Sequence, residues 1–193
     1  MENLMRRSFL LCLVMATLAF NTQAEELHHT KLGVHTGPYF EPKLIMTLGD
    51  TISHGESTLS GDTGYGIGYD LGYSFTENFA LELDGTYSKS DVKETDSIGD
   101  TQTDRASFYT YGVNAALSYP LHKHFIILGK LGYGYEHEDL GKLGIKGSDH
   151  GANWTAGVEY SFNPHVEVSF EYEGSEIKSA RGDSLQLGLI YKF

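Results

Sequence analysis

Several things are scarce in this chain. It has a single cysteine, Cys12, in 193 residues, so no intrachain disulfide can form. Basic residues are few, 14 against 26 acidic ones. No basic stripe is present to meet a phosphate backbone, which argues against nucleic acid as a partner. Beyond residue 24 no apolar run approaches the 18 or so residues that a transmembrane helix needs. His-x-Ser, a nucleophile spaced beside its base on a strand, does not occur. GYGIGY and GKLGIKG carry closely spaced glycines, yet neither fits a dinucleotide fingerprint or a phosphate loop. The sequence calls for no cofactor.

The first 24 residues read as a secretory signal peptide. Arg6 and Arg7 make the positive start and SFLLCLVMATLAF (8–20) the apolar core. Thr22-Gln23-Ala24 is a small-residue site that predicts cleavage between Ala24 and Glu25. The apolar core is short for a spanning anchor, and Leu10 and Leu11 stand where a lipoprotein signal would have small residues before Cys12. Cleavage removes the cysteine and leaves 12 basic against 25 acidic residues. Residues 25–36, EELHHTKLGVHT, are expected to form a short periplasmic leader, and residues 37–193 one barrel domain.

The remaining chain is rich in alternation. Eight segments repeat with period 2, roughly 38–49, 64–75, 78–88, 107–121, 124–136, 152–162, 165–174 and 184–193. In GYGIGYDLGYSF, Tyr65, Ile67, Tyr69, Leu71, Tyr73 and Phe75 alternate with Gly66, Gly68, Asp70, Gly72 and Ser74. Across the central stretches of the segments the apolar parity carries no charge, while the other holds Asp70, Glu82, Asp84, Lys130, Glu159, Glu167, Glu171 and Lys192. Glu41, Lys43 and Glu173 are expected inward towards the strand ends, with Lys130 the only base near mid-strand. In the final segment, SLQLGLIYKF, only Ile190 breaks the polar set.

A soluble barrel with its apolar face inward would alternate in the same way. The strand ends separate the two architectures. Apolar-parity rings cluster at both ends of several segments: Phe79 and Tyr87, Tyr109 and Tyr119, Phe125 and Tyr135, Trp154 and Phe162. Eight residue steps span roughly 26 Å, or ~20 Å of height at a tilt of ~40°. That is close to the apolar band of an outer-membrane barrel between its aromatic girdles. The connections also alternate, tight at 76–78, 122–123 and 163–164, and long and polar at 50–63, 89–106, 137–151 and 175–183. The pattern predicts an all-β fold: an eight-stranded antiparallel up-and-down transmembrane barrel, with short periplasmic turns, long outer loops and both termini periplasmic. Lipid cannot solvate a free strand edge, so the last strand must pair with the first. The eight polar-parity residues are expected to form a network inside the barrel.

GPYFEPKLIMTLG (37–49), the repeat GYGIGYDLGYSF (64–75) and the ending LGLIYKF (187–193) resemble the small eight-stranded outer-membrane barrels of the OmpA/OmpX type. The resemblance implies a bacterial outer-membrane location. It also implies an assembly signal in Leu189, Tyr191 and Phe193, read by the outer-membrane assembly machinery. No peptidoglycan-binding domain is expected after Phe193, so a cell-wall anchoring role is not expected to carry over. Expected partners are outer-membrane lipid and lipopolysaccharide, with Lys89, Lys142, Lys146, Lys178 and Arg181 near the outer rim. An extracellular loop ligand would be a further partner, and the barrel is expected to be a monomer.

Three other features have plain readings. The scattered histidines His28, His29 and His35, and the pair His122 and His124, lack the convergence that a metal site needs. DVKETDSIGDTQTDR (91–105) reads as a solvated acidic tip. Small barrels can act on lipid A, but no catalytic set stands out here. The expected role is structural or one of surface interaction, without catalysis. The alternatives are a narrow passive channel and, further off, an acyl enzyme acting on lipid A.

Overall fold

Alternation with period 2 sends successive side chains to opposite faces of a strand, and each strand here buries one parity and exposes the other. The computed structural model describes residues 36–54, 57–96, 98–141 and 145–193. The predicted signal peptide with its Ala24–Glu25 junction, and the leader up to His35, lie outside these residues.

The strands are β1 (Gly37–Thr47), β2 (Thr51–His54), β3 (Ser57–Gly61), β4 (Gly64–Ser74), β5 (Phe79–Thr95), β6 (Thr101–Pro120), β7 (Phe125–Leu140), β8 (Ile145–Asn163), β9 (Val166–Ser175) and β10 (Ser184–Lys192). β1 and β4 to β10 close an antiparallel ring of eight. Closure is made by β1 and β10, in register from Tyr39↔Lys192 to Thr47↔Ser184. The Phe193 N–H still donates to the Pro38 carbonyl at 3.2 Å, so the chain is held to its last residue. β2 and β3 form a hairpin in the first outer connection. β3 continues the wall above β4 by pairing with β5 from Thr58↔Thr95 to Gly61↔Val92.

Two of the expected outer loops are corrected by the register. Residues 89–106 are mostly ladder, paired from Lys89↔Ser107 out to Thr95↔Thr101. Residues 137–151 are ladder out to Leu140↔Ile145. The physical reason is that the alternation does not stop above the membrane; it changes sign. On β5 the outward parity runs Phe79, Leu81, Leu83 and then Lys89, Asp91, Lys93, while the inward parity runs Glu82, Asp84 and then Ser90, Val92. Above the girdle water bathes the outside of the wall, so the apolar residues turn in. Val92, Ala106, Phe108, Leu140, Leu59 and Ala180 pack there as a buried apolar cap.

A second apolar layer fills the periplasmic end: Tyr39, Ala80, Ala116, Leu128 and Ile190. Ile190, the one break in the polar set of the last strand, is an inward residue of this layer. Polar and charged side chains occupy the interior between the two layers. Inward glycines give interior side chains room. A Cβ at Gly72 would run into the Tyr39 ring, and one at Gly188 into the Glu41 carboxylate.

Candidate functional site

The outer surface of the ring is apolar across the membrane band. Leu83 is 55% exposed, Leu131 56% and Leu187 49%, with no water-facing partner to explain them other than lipid. Rings pair across strands at both rims. At the outer rim Tyr87 lies tilted against Tyr109 at 4.8 Å and Tyr111 against Tyr135 at 5.1 Å, with Trp154 and Tyr172 at 5.5 Å. At the periplasmic rim Phe75 lies 6.0 Å from Phe79 and Phe125 5.1 Å from Tyr160, while Tyr191 and Phe193, neighbours along the last strand, lie 5.1 Å apart. Leu189, Tyr191 and Phe193 all present their side chains on this lipid face.

Inside, the middle tier is a compact ion cluster. Lys130 on β7 places its Nζ 2.7 Å from Asp70, 2.8 Å from Glu82, 3.1 Å from Glu171 and 4.0 Å from Glu41. Lys43 on β1 reaches Asp70 at 2.6 Å, Glu171 at 2.7 Å and Glu41 at 3.9 Å. The Tyr39 hydroxyl donates to Glu82, and the Ser169 hydroxyl to Glu41. Asp84 accepts a bond from Asn114 Nδ2 at 2.9 Å.

The sequence places Glu41 and Lys43 toward the strand ends, and the register corrects that. Glu41 pairs with Asp70 and Lys43 with Gly68, which puts both at mid-barrel. Lys130 is therefore not the sole central base.

Glu41, Asp70 and Glu82 bring carboxylate oxygens within 4.8 Å of one another, a spacing a metal ion could use. The two ammonium groups already supply the compensating charge at that point. A lower tier holds Lys192 Nζ 2.7 Å from Glu167, which also accepts the Ser161 hydroxyl at 2.6 Å. Glu159 is buried nearby.

An upper tier is built by a residue the sequence assigns to lipopolysaccharide. Arg181, in the connection between β9 and β10, is only 3% exposed and turns into the barrel mouth. Its Nε lies 2.7 Å from Glu136 and its Nη2 3.1 Å from Glu173, which also accepts a bond from Gln186 at 3.0 Å. Local sequence shows only a basic residue in a polar stretch; the inward acids it meets come from two other strands. Lys89, Lys146 and Lys178 are exposed, and Lys142 lies outside the described residues.

The remaining histidines and acids have local partners. His124 Nδ1 sits 2.8 Å from the Ser161 carbonyl, while His122 is exposed. In the 91–105 stretch Asp96 Oδ1 accepts from the Ile98 and Asp100 amides, and Arg105 pairs with Asp91 at 3.4 Å.

Among the described residues two small cavities stand out. One, about 50 Å³, lies at the periplasmic end between Tyr39, Glu82, Glu159, Glu167 and Lys192. The other, about 140 Å³, opens at the outer end beside Glu136 and Glu138.

Residues 9–193 match the family described as outer membrane protein beta-barrel domain. Outer membrane protein X of Escherichia coli K12 is 27% identical over 130 residues, 65% of this chain and 74% of that protein. Its counterpart in Enterobacter cloacae is 27% identical over 152 residues, 74% of this chain and 84% of that protein. Among solved structures the fold is shared with OprG of Pseudomonas aeruginosa (TM-score 0.68, 12% identity, 84% of this chain and 99% of that one). It is also shared with the neisserial surface protein NspA (TM-score 0.55, 17% identity, 82% of this chain and 98% of that one).

Proposed function

Since this chain belongs to the outer membrane protein beta-barrel family and is an integral protein of the bacterial outer membrane, we propose that it serves as a sealed, rigid scaffold holding an outer rim at the cell surface. The observation that carries this reading is the filled interior. An ion crossing the barrel would have to pass the apolar layer around Leu128, the Lys43–Lys130 cluster, the Arg181 bridges and the cap around Phe108. Eight strands leave an interior that side chains fill, whereas aqueous channels belong to much wider barrels.

The rim is then the working surface. Lys89, Lys146 and Lys178 are exposed, and we take the phosphates of lipopolysaccharide as their contact. Leu189, Tyr191 and Phe193 are the residues proposed for the assembly machinery, by likeness to the family ending. No catalytic role is proposed, the barrel works as a monomer, and no metal or cofactor enters its action.

Conductance of the purified barrel in a planar bilayer tests the scaffold reading. The wild type should show no unitary steps, whereas regular steps that grow in Lys130→Met would establish a passive channel instead. Unchanged lipid A acylation in a deletion strain is expected on the same reading, and an altered acyl pattern would replace it with an enzyme.

A further inference from the structure

The outer cavity has an unusual lining. Glu136 and Glu138 follow each other on the inward parity of β7, so their carboxylates enter the same space from one wall. Glu136 is 2% exposed and Glu138 9%. Arg181 Nε lies 2.7 Å from Glu136 Oε2; Glu136 Oε1 and Glu138 Oε1 have no hydrogen-bond partner, and Arg181 Nη1 has none either. Asp149 stands at the mouth, and its carboxylate accepts the His150 amide at 2.8 Å and the Lys178 amide at 3.3 Å. The opposite wall is apolar, made by Ile52 and Leu59 of the β2–β3 hairpin.

A buried carboxylate oxygen without a donor is costly, and native proteins rarely leave one so. The fixed cations nearby leave Glu138 unanswered. Arg181 pairs with Glu136 and Glu173 but not with Glu138, and Lys178 is exposed, facing water as well as the cavity. The missing element is a donor that carries positive charge at one end and tolerates Ile52 and Leu59 at the other. The volume, about 140 Å³, is close to the ~150 Å³ of an apolar cavity that admits a benzene-sized molecule.

We propose that this cavity is a binding site for a small organic ammonium ion, its charged nitrogen on Glu138 and Glu136 and its short hydrocarbon body on Ile52 and Leu59. Each end accounts for part of the specificity. A neutral alcohol of the same shape could not satisfy two carboxylates, and an inorganic cation would leave the apolar wall facing water. The site opens outward and is independent of whether the barrel conducts.

The probe is n-butylamine, protonated at pH 7.5, titrated into the whole barrel in zwitterionic nanodiscs, with n-butanol and calcium chloride as controls. Backbone amide shifts at Gly147 and Ser179 provide the readout. The wild type should saturate with a Kd on the order of millimolar, as suits a ligand of five heavy atoms. Glu138→Gln should weaken binding at least tenfold and Glu138→Asp much less, and n-butanol should give no saturable shift. Folding of each variant is checked by its mobility on unheated gels. Lys178→Met should bind as well as wild type or better, since it removes a competing ammonium. Absence of saturation, equal affinity in Glu138→Gln, or calcium binding at lower concentration than the amine would each overturn the proposal.

Discussion

Lys43 and Lys130 reach the same carboxylate, Asp70, from opposite walls of the barrel, at 2.6 and 2.7 Å. Strands β1 and β7 are four places apart around the ring, so this shared acceptor ties the two halves together across the interior. Removing either base leaves buried acids without a counter-charge, at a cost of about 3–5 kcal/mol. Lys130→Met and Lys43→Met should each lower stability in urea unfolding from lipid vesicles. The double variant should fall clearly short of the sum, because both act on Asp70 and Glu171. Additive losses would mean the two lysines serve separate acids.

The lipid face gives a contrast of position. Leu83→Arg or Leu131→Arg, near mid-membrane, should cost about 2–4 kcal/mol. Thr101→Arg, exposed at the tip of the β5–β6 extension, should cost almost nothing. The same vesicle assay compares them, and equal penalties would refute the placement of the membrane band.

Assembly should depend on the last residue. Phe193→Asp is expected to leave synthesis and export intact while reducing the folded fraction, read from the mobility shift between heated and unheated gels. An unchanged fraction would leave Phe193 as a girdle ring only, packed on Tyr191.

Glu138 lies beyond the outer girdle, and burial, reinforced by Glu136, pushes its carboxyl up to about 7. In the unfolded chain a glutamate ionises near 4.3. Ionisation is therefore harder in the folded state, and stability falls as the pH rises from about 4.3 to 7 and stays reduced above that. Glu138→Gln removes this loss. The variant should gain stability relative to wild type at pH 8 and lose that advantage at pH 5, as shown by urea midpoints at the two values. A gap independent of pH would place Glu138 in water.

Processing is checked by intact mass. Protein from outer-membrane fractions should weigh what residues 25–193 weigh, with Glu25 at the amino terminus. Retention of Met1 to Ala24 would remove the cleavage assignment.

The wall of this barrel was legible in the sequence because each strand carries its own record of which face meets lipid. Tyr65 to Phe75 and Phe79 to Tyr87 needed no partner to be read. The interior was only partly legible, since its geometry depends on register between strands far apart in the chain. Lys43 looks peripheral when counted along β1 and becomes central once paired with Gly68. Arg181 looks solvated until the connection holding it is seen to turn inward on Glu136. The upward extension of the strands is hidden in the sequence for a different reason. Polar residues such as Lys89 and Asp91 look like loop along the chain, yet they are the water-facing side of a ladder whose other side turns inward at Ser90 and Val92.

That change of sign works like a waterline painted on a hull. Below Tyr87 and Tyr109 the outer surface wants oil, and above them Lys89, Asp91 and Arg105 want water. Sinking the barrel by one pair of residues would drag charges into hydrocarbon, and raising it would strand leucines in the aqueous layer. The draught of the molecule is thus set independently by several strands. From Tyr87 to Thr95 the ladder climbs eight more steps, ~20 Å of height at a tilt of ~40°. Whatever approaches from outside therefore meets the strand tips well before it reaches the bilayer.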